Sequence, residues 1–478
     1  MEVTAQNIAN AGTAGYSRER AEIVTNPPWP VPSACMPSGP GQFGTGVNLQ
    51  TVTRIRDQFL DTQYRQQNLL KGEWQQRSNT LSQVETIFGE PSSTGLSSDL
   101  DKFWQAWDNL SKTPENLPVR TTVVEAASTL ADDLQNTYSQ LTTLQGNLNT
   151  DISQDVSHIN DDLRQIASLN ATIKSATLSG LSPNDLLDQR DNLLDDLSTY
   201  INVKTVINAD NTATLSIEGA TVVDGPAMVK LTATPDASGN YQVGVDLGNG
   251  QSELLQWPDL GGQLYGLQQA RDVDVQGYLD GLNRLTATVA GAVNSLHVSG
   301  YGLDGTTGIP FFVNGSNPAN PEDSNNITAS NIAVNPEIVN DPQKIAAAAT
   351  PASGGAVPPP GDGSNALAIS KLGSESLSFA TATGAGTIID TASNFYGSMI
   401  ADLGIASSQA SNMVNNQSAL VTQLDNSRQS TSGVSLDEEM TNLVQQQSAY
   451  EAAAKLVNVI ADMMQVVINM GATGQLGG

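Results

Sequence analysis

Apolar residues recur at helical spacing over most of the chain, and the period changes in the middle. From Arg54 onward, Ile55, Phe59, Leu69, Leu70, Trp74, Leu81, Val84 and Phe88 predict a helix that Gly89 and Pro91 end. A shorter helix is expected over about 97–110. The next pattern, over about 118–178, predicts roughly 90 Å of helix at 1.5 Å per residue. Its seam runs Leu134, Tyr138, Leu141, Gln145, Leu148 and Ile152. A strict heptad would then reach Asp155 and Asp162, whereas one extra four-residue step reaches Val156, Ile159, Leu163 and Ile166, a stutter. Asp151, Asp155, Asp161 and Asp162 are then expected on the solvent side. Ser182 as cap and Pro183 at the first helical position open a helix that runs to about Tyr200.

From Val203 to Leu247 the apolar runs are short and β-branched, split by Asp-Asn, Asp-Gly and Ser-Gly-Asn turns, which predicts a small antiparallel β domain. Gly261 to His297 returns to helix. Val298 to about Ala392 is rich in Gly, Pro, Asn and Ser with brief strand-like pieces, and Val357-Pro358-Pro359-Pro360-Gly361 reads as a stiff surface loop. A last helical block spans about 391–470. In it Leu436, Met440, Leu443, Gln447, Tyr450, Ala454, Val457, Ala461, Met464 and Ile468 follow alternate steps of four and three, a seam that calls for a partner helix. At the other end, Pro27 to Gly46 reads as loop and Val47 to Val52 as a short strand. Residues 1–20 and the end beyond Met470 carry little apolar surface, and are expected to order only on assembly.

The expected fold is therefore α+β and multidomain. An elongated, coiled-coil-like helical domain is formed by both termini (1–200 and 391–478), with 262–298 packing near it. A small β domain (201–261) and a second β and loop-rich region (299–390) are inserted. The chain of 478 residues is long enough for more than one core. Aromatics make up only 5 % of it, which places the weight of the core on aliphatic side chains and suits helix packing.

Charge excludes two classes of partner. Against 21 Lys and Arg stand 49 Asp and Glu, a net charge of −28. Nucleic acid and anionic membrane both require the opposite field. No apolar segment is long enough to span a membrane, since Val457 to Met470 is short and holds Asp462. No basic and apolar leader opens the chain.

Candidate chemistry is sparse. Cys35 is the single cysteine and sits in a Pro/Gly-rich stretch. His158 and His297 have no Cys or His neighbours in sequence, so no metal site and no cofactor is expected. Gly41-Gln42-Phe43-Gly44-Thr45-Gly46 opens no helix after a strand and lacks the Lys of a phosphate loop. No nucleophile has a usable His beside it. A secreted adhesin would need grouped aromatics, and Trp257 stands alone after Trp107.

Both ends of the chain carry a resemblance. Asn7-Ile8-Ala9-Asn10-Ala11-Gly12-Thr13-Ala14-Gly15-Tyr16-Ser17-Arg18 resembles the N-terminal signature of flagellar rod, hook and hook-associated proteins. Asn and Gly suit a helix end, Gly15 a turn, and Tyr16 an anchor for the departing chain. Ser432 to Met440, followed by Gln446-Gln447-Ser448-Ala449-Tyr450, is similar to the matching C-terminal end, with Ser435 and Glu438 spaced as a capping box. Three inner stretches narrow the likeness to the hook-associated protein 1 family. They are Phe88-Gly89-Glu90-Pro91 with Gly95-Leu96 and Phe103-Trp104; Asn184 to Asp191; and Asn294-Ser295-Leu296-His297 with Gly300-Tyr301. The family carries about one more helical segment before the Asn-rich motif, so a truncated start or absent upstream coding sequence is expected.

The resemblance implies a structural adaptor of the bacterial flagellum, extracellular, exported by the flagellar type III route and assembled as a ring between hook and filament. The implied partners are hook protein, the next hook-associated protein, further copies of the chain, and a cytoplasmic export chaperone. The implied assembly residues are Asn7, Ile8, Asn10, Gly15, Tyr16, Arg18, Leu436, Met440, Leu443, Tyr450, Val457, Met464 and Ile468. Another axial protein, such as the second junction protein or a hook subunit, is the competing reading.

Overall fold

The computed structural model describes residues 1–28, 44–248, 250–317, 320, 323–349, 359–381 and 386–473, the last four by backbone only. Cys35, Gly41 to Phe43, Val357, Pro358 and the end beyond 473 lie outside the described residues.

The chain opens with α1 (Glu2–Asn10), β1 (Glu19–Thr25) and β2 (Val47–Arg54). Thr4, Asn7 and Ser17 are buried against the rest of the chain. The strands β1 and β2 pair antiparallel, Glu19 opposite Arg54 and Thr25 opposite Val47. The predicted strand is thus longer than its apolar alternation, and Arg54 ends it rather than starting a helix.

The helical body follows as α2 (Gln58–Phe88), α3 (Leu96–Lys112), α4 (Leu117–Leu178) and α5 (Asn184–Tyr200). Asp57 caps α2, its carboxylate accepting from the Phe59 N–H at 2.9 Å, and Gly89 ends it in the left-handed region at φ +58°. α5 begins one residue later than the Ser182 cap predicts. The Ser182 hydroxyl lies 3.0 Å from that of Thr51 instead of capping the helix.

α4 is one continuous helix of 62 residues. Its heptad and stutter positions are both buried: Asp155 and Asp162 as well as Val156, Ile159, Leu163 and Ile166. The expected solvent placement of Asp155 and Asp162 is therefore wrong. α4 has neighbours on several sides, with α5, the later helices and the strands all against it, and its buried stripe is wider than one seam.

The middle of the chain forms β3 (Lys204–Ile207), β4 (Ala213–Ile217), β5 (Ala220–Asp224) and β6 (Ala227–Met228) in one antiparallel sheet. β7 (Leu231–Pro235), β8 (Tyr241–Gly248) and β9 (Gln251–Leu254) form another. Both dock along α4 through asparagines. Asn170 accepts from the Ala213 N–H at 2.9 Å and donates to the Ala213 carbonyl at 2.8 Å. Asn160 clasps Leu231 at 2.8 and 2.9 Å in the same way, and Asn149 accepts from the Tyr241 N–H at 2.7 Å. The strands share one continuous core with α4, so Leu215, Ile217 and Val223 do not pack apart from the helical body.

A short α6 (Trp257–Leu260) leads to α7 (Gly262–Gln269) and α8 (Gln276–Ser299), joined by a π-helical turn over Ala270–Val275. The region expected to be loop-rich holds β10 (Phe312–Asn314), β11 (Ile332–Val334), α9 (Pro336–Asn340), α10 (Ser364–Lys371), β12 (Leu377–Ala380) and β13 (Thr387–Asp390). Here the few aromatics concentrate. Phe103, Trp107, Phe311 and Phe312 meet with centroids 4.9–6.3 Å apart, and His297 joins them. The chain closes with α11 (Ala392–Ser432), which packs on α2, and α12 (Leu436–Thr473).

Candidate assembly surface at the chain ends

Asn7 organises the start of the chain. Its side-chain oxygen accepts from the Glu19 N–H at 2.9 Å and from the Tyr16 hydroxyl at 3.0 Å, and its amide donates to the Glu19 carbonyl at 2.9 Å. Burial, reinforced by the nearby carboxylates of Glu19, Asp185 and Asp188, pushes the Tyr16 hydroxyl well above its usual value, so it stays a donor. Asn10 closes α1, donating to the Gln6 carbonyl at 3.1 Å and accepting from Thr13 at 3.2 Å. Gly15 lies at φ +76°, and a Cβ there would run into the Asn192 amide, so the turn admits only glycine. Ile8 is half-buried.

The next two residues join distant parts of the sequence. Ser17 donates to Asp188 through its N–H at 2.9 Å and its hydroxyl at 2.7 Å. Arg18 donates to Glu439 at 2.8 Å and Glu438 at 2.9 Å, while its main-chain N–H reaches the Ser432 carbonyl at 2.8 Å. The N-terminal signature, the Asn184 to Asp191 stretch and the C-terminal block thus meet at one place. Ser435 supplies half of the predicted capping box, at 3.5 Å from the Glu438 N–H. The Glu438 carboxylate goes to Arg18 rather than back to the cap.

An arginine–aspartate network lies directly beneath. Arg54 pairs with Asp188 and with Asp191 at 3.0 Å; Arg56 with Asp61 at 2.8 Å and Asp191 at 3.4 Å. Arg65 reaches Asp195 at 2.6 Å, and Arg428, from α11, bridges Asp61 at 2.9 Å and Asp195 at 2.7 Å. Burial pushes the Asp191 carboxyl up, but Arg56, Arg54 and Arg65 outweigh it and hold it below the usual range. Four guanidiniums against four carboxylates tie β2, α2, α5 and α11 together. The sequence reading missed this network. Its signal was legible, because Asp188, Asp191 and Asp195 are spaced by three and four on one helical face. Arg54, Arg56 and Arg65 also crowd one stretch of a cation-poor chain.

α12 has little cover. α1 packs near its beginning, where Gln446 donates to the Thr4 hydroxyl at 3.3 Å and Leu443 is half-buried. Leu436, Met440, Tyr450, Val457, Met464 and Ile468 are all exposed. So are Leu456, Val459, Ile460, Met463, Val466 and Val467 on other sides of the helix. Over residues 450–469 the predicted seam is one edge of an apolar face that covers about 240° of the circumference at 100° per residue. What remains is a narrow polar stripe: Glu451, Lys455, Asn458, Asp462, Gln465 and Asn469.

Residues 81–312 match the family described as flagellar hook-associated protein FlgK helical domain, and residues 426–470 match flagellar basal body rod FlgEFG protein C-terminal. The chain is similar to flagellar hook-associated protein 1 of Bacillus subtilis, at 32 % identity over 99 % of this chain and 96 % of that protein. It is similar to the protein of the same name from Escherichia coli, at 24 % identity over 98 % and 96 % of the two chains. The Salmonella typhimurium protein matches at 30 % identity over 68 % of this chain and 58 % of its own length. In fold, the chain is similar to the flagellar hook junction protein FlgK from Burkholderia pseudomallei, with a TM-score of 0.65 at 17 % identity, over 77 % of this chain and 100 % of that one.

Proposed function

Because the chain belongs to the flagellar hook-associated protein 1 family, we propose that it is the adaptor that joins hook to filament, assembled as a ring through its terminal helices. The observation that carries the ring is α12. A helix that is apolar over most of its circumference is stable when buried on several sides. This one is exposed in the lone chain. Each side covered by a neighbouring copy removes apolar area from water at roughly 25 cal/mol per Å². Side-by-side packing of terminal helices covers two or three sides and leaves the narrow polar stripe to face a water-filled channel.

The family resemblance, together with this geometry, supports the rest. α1 lies against the start of α12, so both ends enter the ring as one unit, and the strands and α8 lie against other parts of α4. Hook protein meets one side of the ring and the next hook-associated protein the other. Before assembly a cytoplasmic chaperone shields the α12 face during export by the flagellar type III route, and the assembled protein is extracellular. The role is structural, not catalytic. The match of 426–470 to rod proteins fits an end shared by axial proteins generally, and the match of 81–312 favours the junction over a rod or hook subunit.

Deleting the gene in its own cell tests this. The expected result is hooks without filaments, with flagellin collecting in the medium. Filaments that remain attached to the hooks would overturn the reading.

A further inference from the structure

Away from the chain ends, three potential ligands converge in the middle of the helical body. His158 and Asp162 stand one turn apart on α4, and Asp196 faces them from α5. His158 Nε2 is 3.1 Å from Asp196 Oδ2 and 3.8 Å from Asp162 Oδ2, and one ligand atom from each residue lies within 4.8 Å of the others. Asp162 is 3 % exposed, and its Oδ2 points into the cluster with no hydrogen-bond donor on it. A buried carboxylate oxygen left without a partner is costly unless something else supplies positive charge. The Tyr200 ring lies 4.7 Å from the imidazole and limits its rotation.

We infer that His158, Asp162 and Asp196 bind a divalent transition-metal ion of the zinc class, which clamps α4 to α5. Zinc takes His nitrogen and Asp oxygen at about 2.0–2.2 Å, so tetrahedral ligands stand roughly 3.3 Å apart. The two measured histidine distances bracket that value. Asp196 is half-exposed at its side chain, and the third edge, to Asp162, is at most 4.8 Å long. Three protein ligands leave the fourth position to water on the exposed side. Calcium wants six to eight oxygens and magnesium an oxygen octahedron, so an imidazole with two carboxylates suits neither. Without an ion, the imidazole is held only by its contacts to the two carboxylates.

The test uses the full chain, stripped by chelator and titrated with zinc chloride at pH 7.5 by calorimetry, with thermal unfolding in parallel. One saturable site and a zinc-dependent rise in unfolding temperature are expected. Loss of even an outer-shell partner weakens metal sites about 10–100-fold, so His158→Ala and Asp196→Asn should each weaken binding by about a hundredfold. His158→Gln, closer in shape, should do the same if the alanine variant unfolds. Asp161→Asn, which alters the exposed neighbour paired with Arg164, should change nothing. Zinc affinity equal in wild type and His158→Gln would overturn the proposal and leave the ion pair. So would displacement of zinc by modest excess magnesium, or the absence of any zinc response in the wild type.

Discussion

Arg18 Nε stands 2.8 Å from Glu439 Oε1, and this pair joins the segment after the first helix to the helix that ends the chain. Glu439 is buried, its side chain 4 % exposed, whereas Glu438, which binds the same guanidinium at 2.9 Å, is 63 % exposed. The two carboxylates should therefore contribute unequally. A buried charged hydrogen bond contributes about 1.5–3 kcal/mol, and an exposed ion pair typically under ~1 kcal/mol. A double-mutant cycle of Arg18→Ala with Glu439→Gln should show coupling of about 1–2 kcal/mol in urea unfolding, and the cycle with Glu438→Gln a few tenths at most. Amide exchange at residues 436–445 should speed up in the Glu439 variant alone. Equal coupling for both carboxylates would show that α12 is not held by the buried pair.

The network beneath that contact behaves differently. Asp191 faces Arg54, Arg56 and Arg65 at 3.0, 3.4 and 3.8 Å, with its side chain 11 % exposed. Removing one charge from a mostly buried network leaves its partners uncompensated, at a cost of about 3–5 kcal/mol. Asp191→Ala should approach that cost. Asp195→Ala should also remove the α5 partner of Arg428, leaving it only Asp61 and loosening α11 from α5. Differential scanning calorimetry should find Asp191→Ala among the most damaging single changes outside the aliphatic core. A loss under ~1 kcal/mol would mean that water reaches the network and screens it.

How far the sequence displayed these features depends on what each one rests on. Long periodic helices such as α4 and α11 were legible, because period and length both point to helix. β1 was not. Ile23 and Val24 are exposed, and nothing in Glu19 to Thr25 alternates; the strand exists because β2 pairs with it. The seam of α12 was legible, but its breadth was not, because stepping by four and three follows a single stripe. Asp155 and Asp162 were misplaced for the opposite reason, since one seam cannot describe a helix with neighbours on several sides. His158 lacked Cys or His neighbours in its own stretch, and although Asp162 stands one turn away, the carboxylate nearest to the ring, Asp196, lies 38 residues away on another helix. The three stretches that meet around Ser17 and Asp188 were each noted, but only the fold showed that they touch.

His297 gives the protein a defined pH response. It is fully buried, with Nδ1 2.7 Å from the Ile309 carbonyl and Nε2 accepting from the Ala346 N–H at 2.9 Å. Both nitrogens are therefore committed to the neutral ring. Burial pushes its pKa down to about 4, and the Arg120 charge adds to that. The unfolded chain takes up a proton near pH 6.5 and the folded one only near 4, so stability falls as pH drops through that window. The loss is on the order of 3 kcal/mol by pH 4. His297→Gln should be less stable at neutral pH but show a shallower decline from pH 6.5 to 4, as read from urea midpoints. Parallel declines in the two proteins would assign the acid sensitivity to carboxylates elsewhere.

The breadth of the α12 face makes the assembly reading testable on two sides of one helix. Met464 lies on the predicted seam, and Met463 lies about 100° away around the helix, on the part that the seam does not include. Both are exposed in the lone chain. Neither Met464→Asp nor Met463→Asp should therefore change thermal unfolding by more than about 0.5 kcal/mol. In a ring each carboxylate would face hydrocarbon from a neighbouring copy, and an unpaired buried charge is costly. Cells carrying either variant should build hooks, lose attached filaments and release flagellin, and pull-down of the export chaperone should weaken. Asp462→Ala, on the polar stripe, should leave swimming intact. If Met463→Asp swims and Met464→Asp does not, α12 has one partner helix and the stripe does not mark the channel side. If both variants swim with the mutant protein present at the junction, α12 is not the assembly surface.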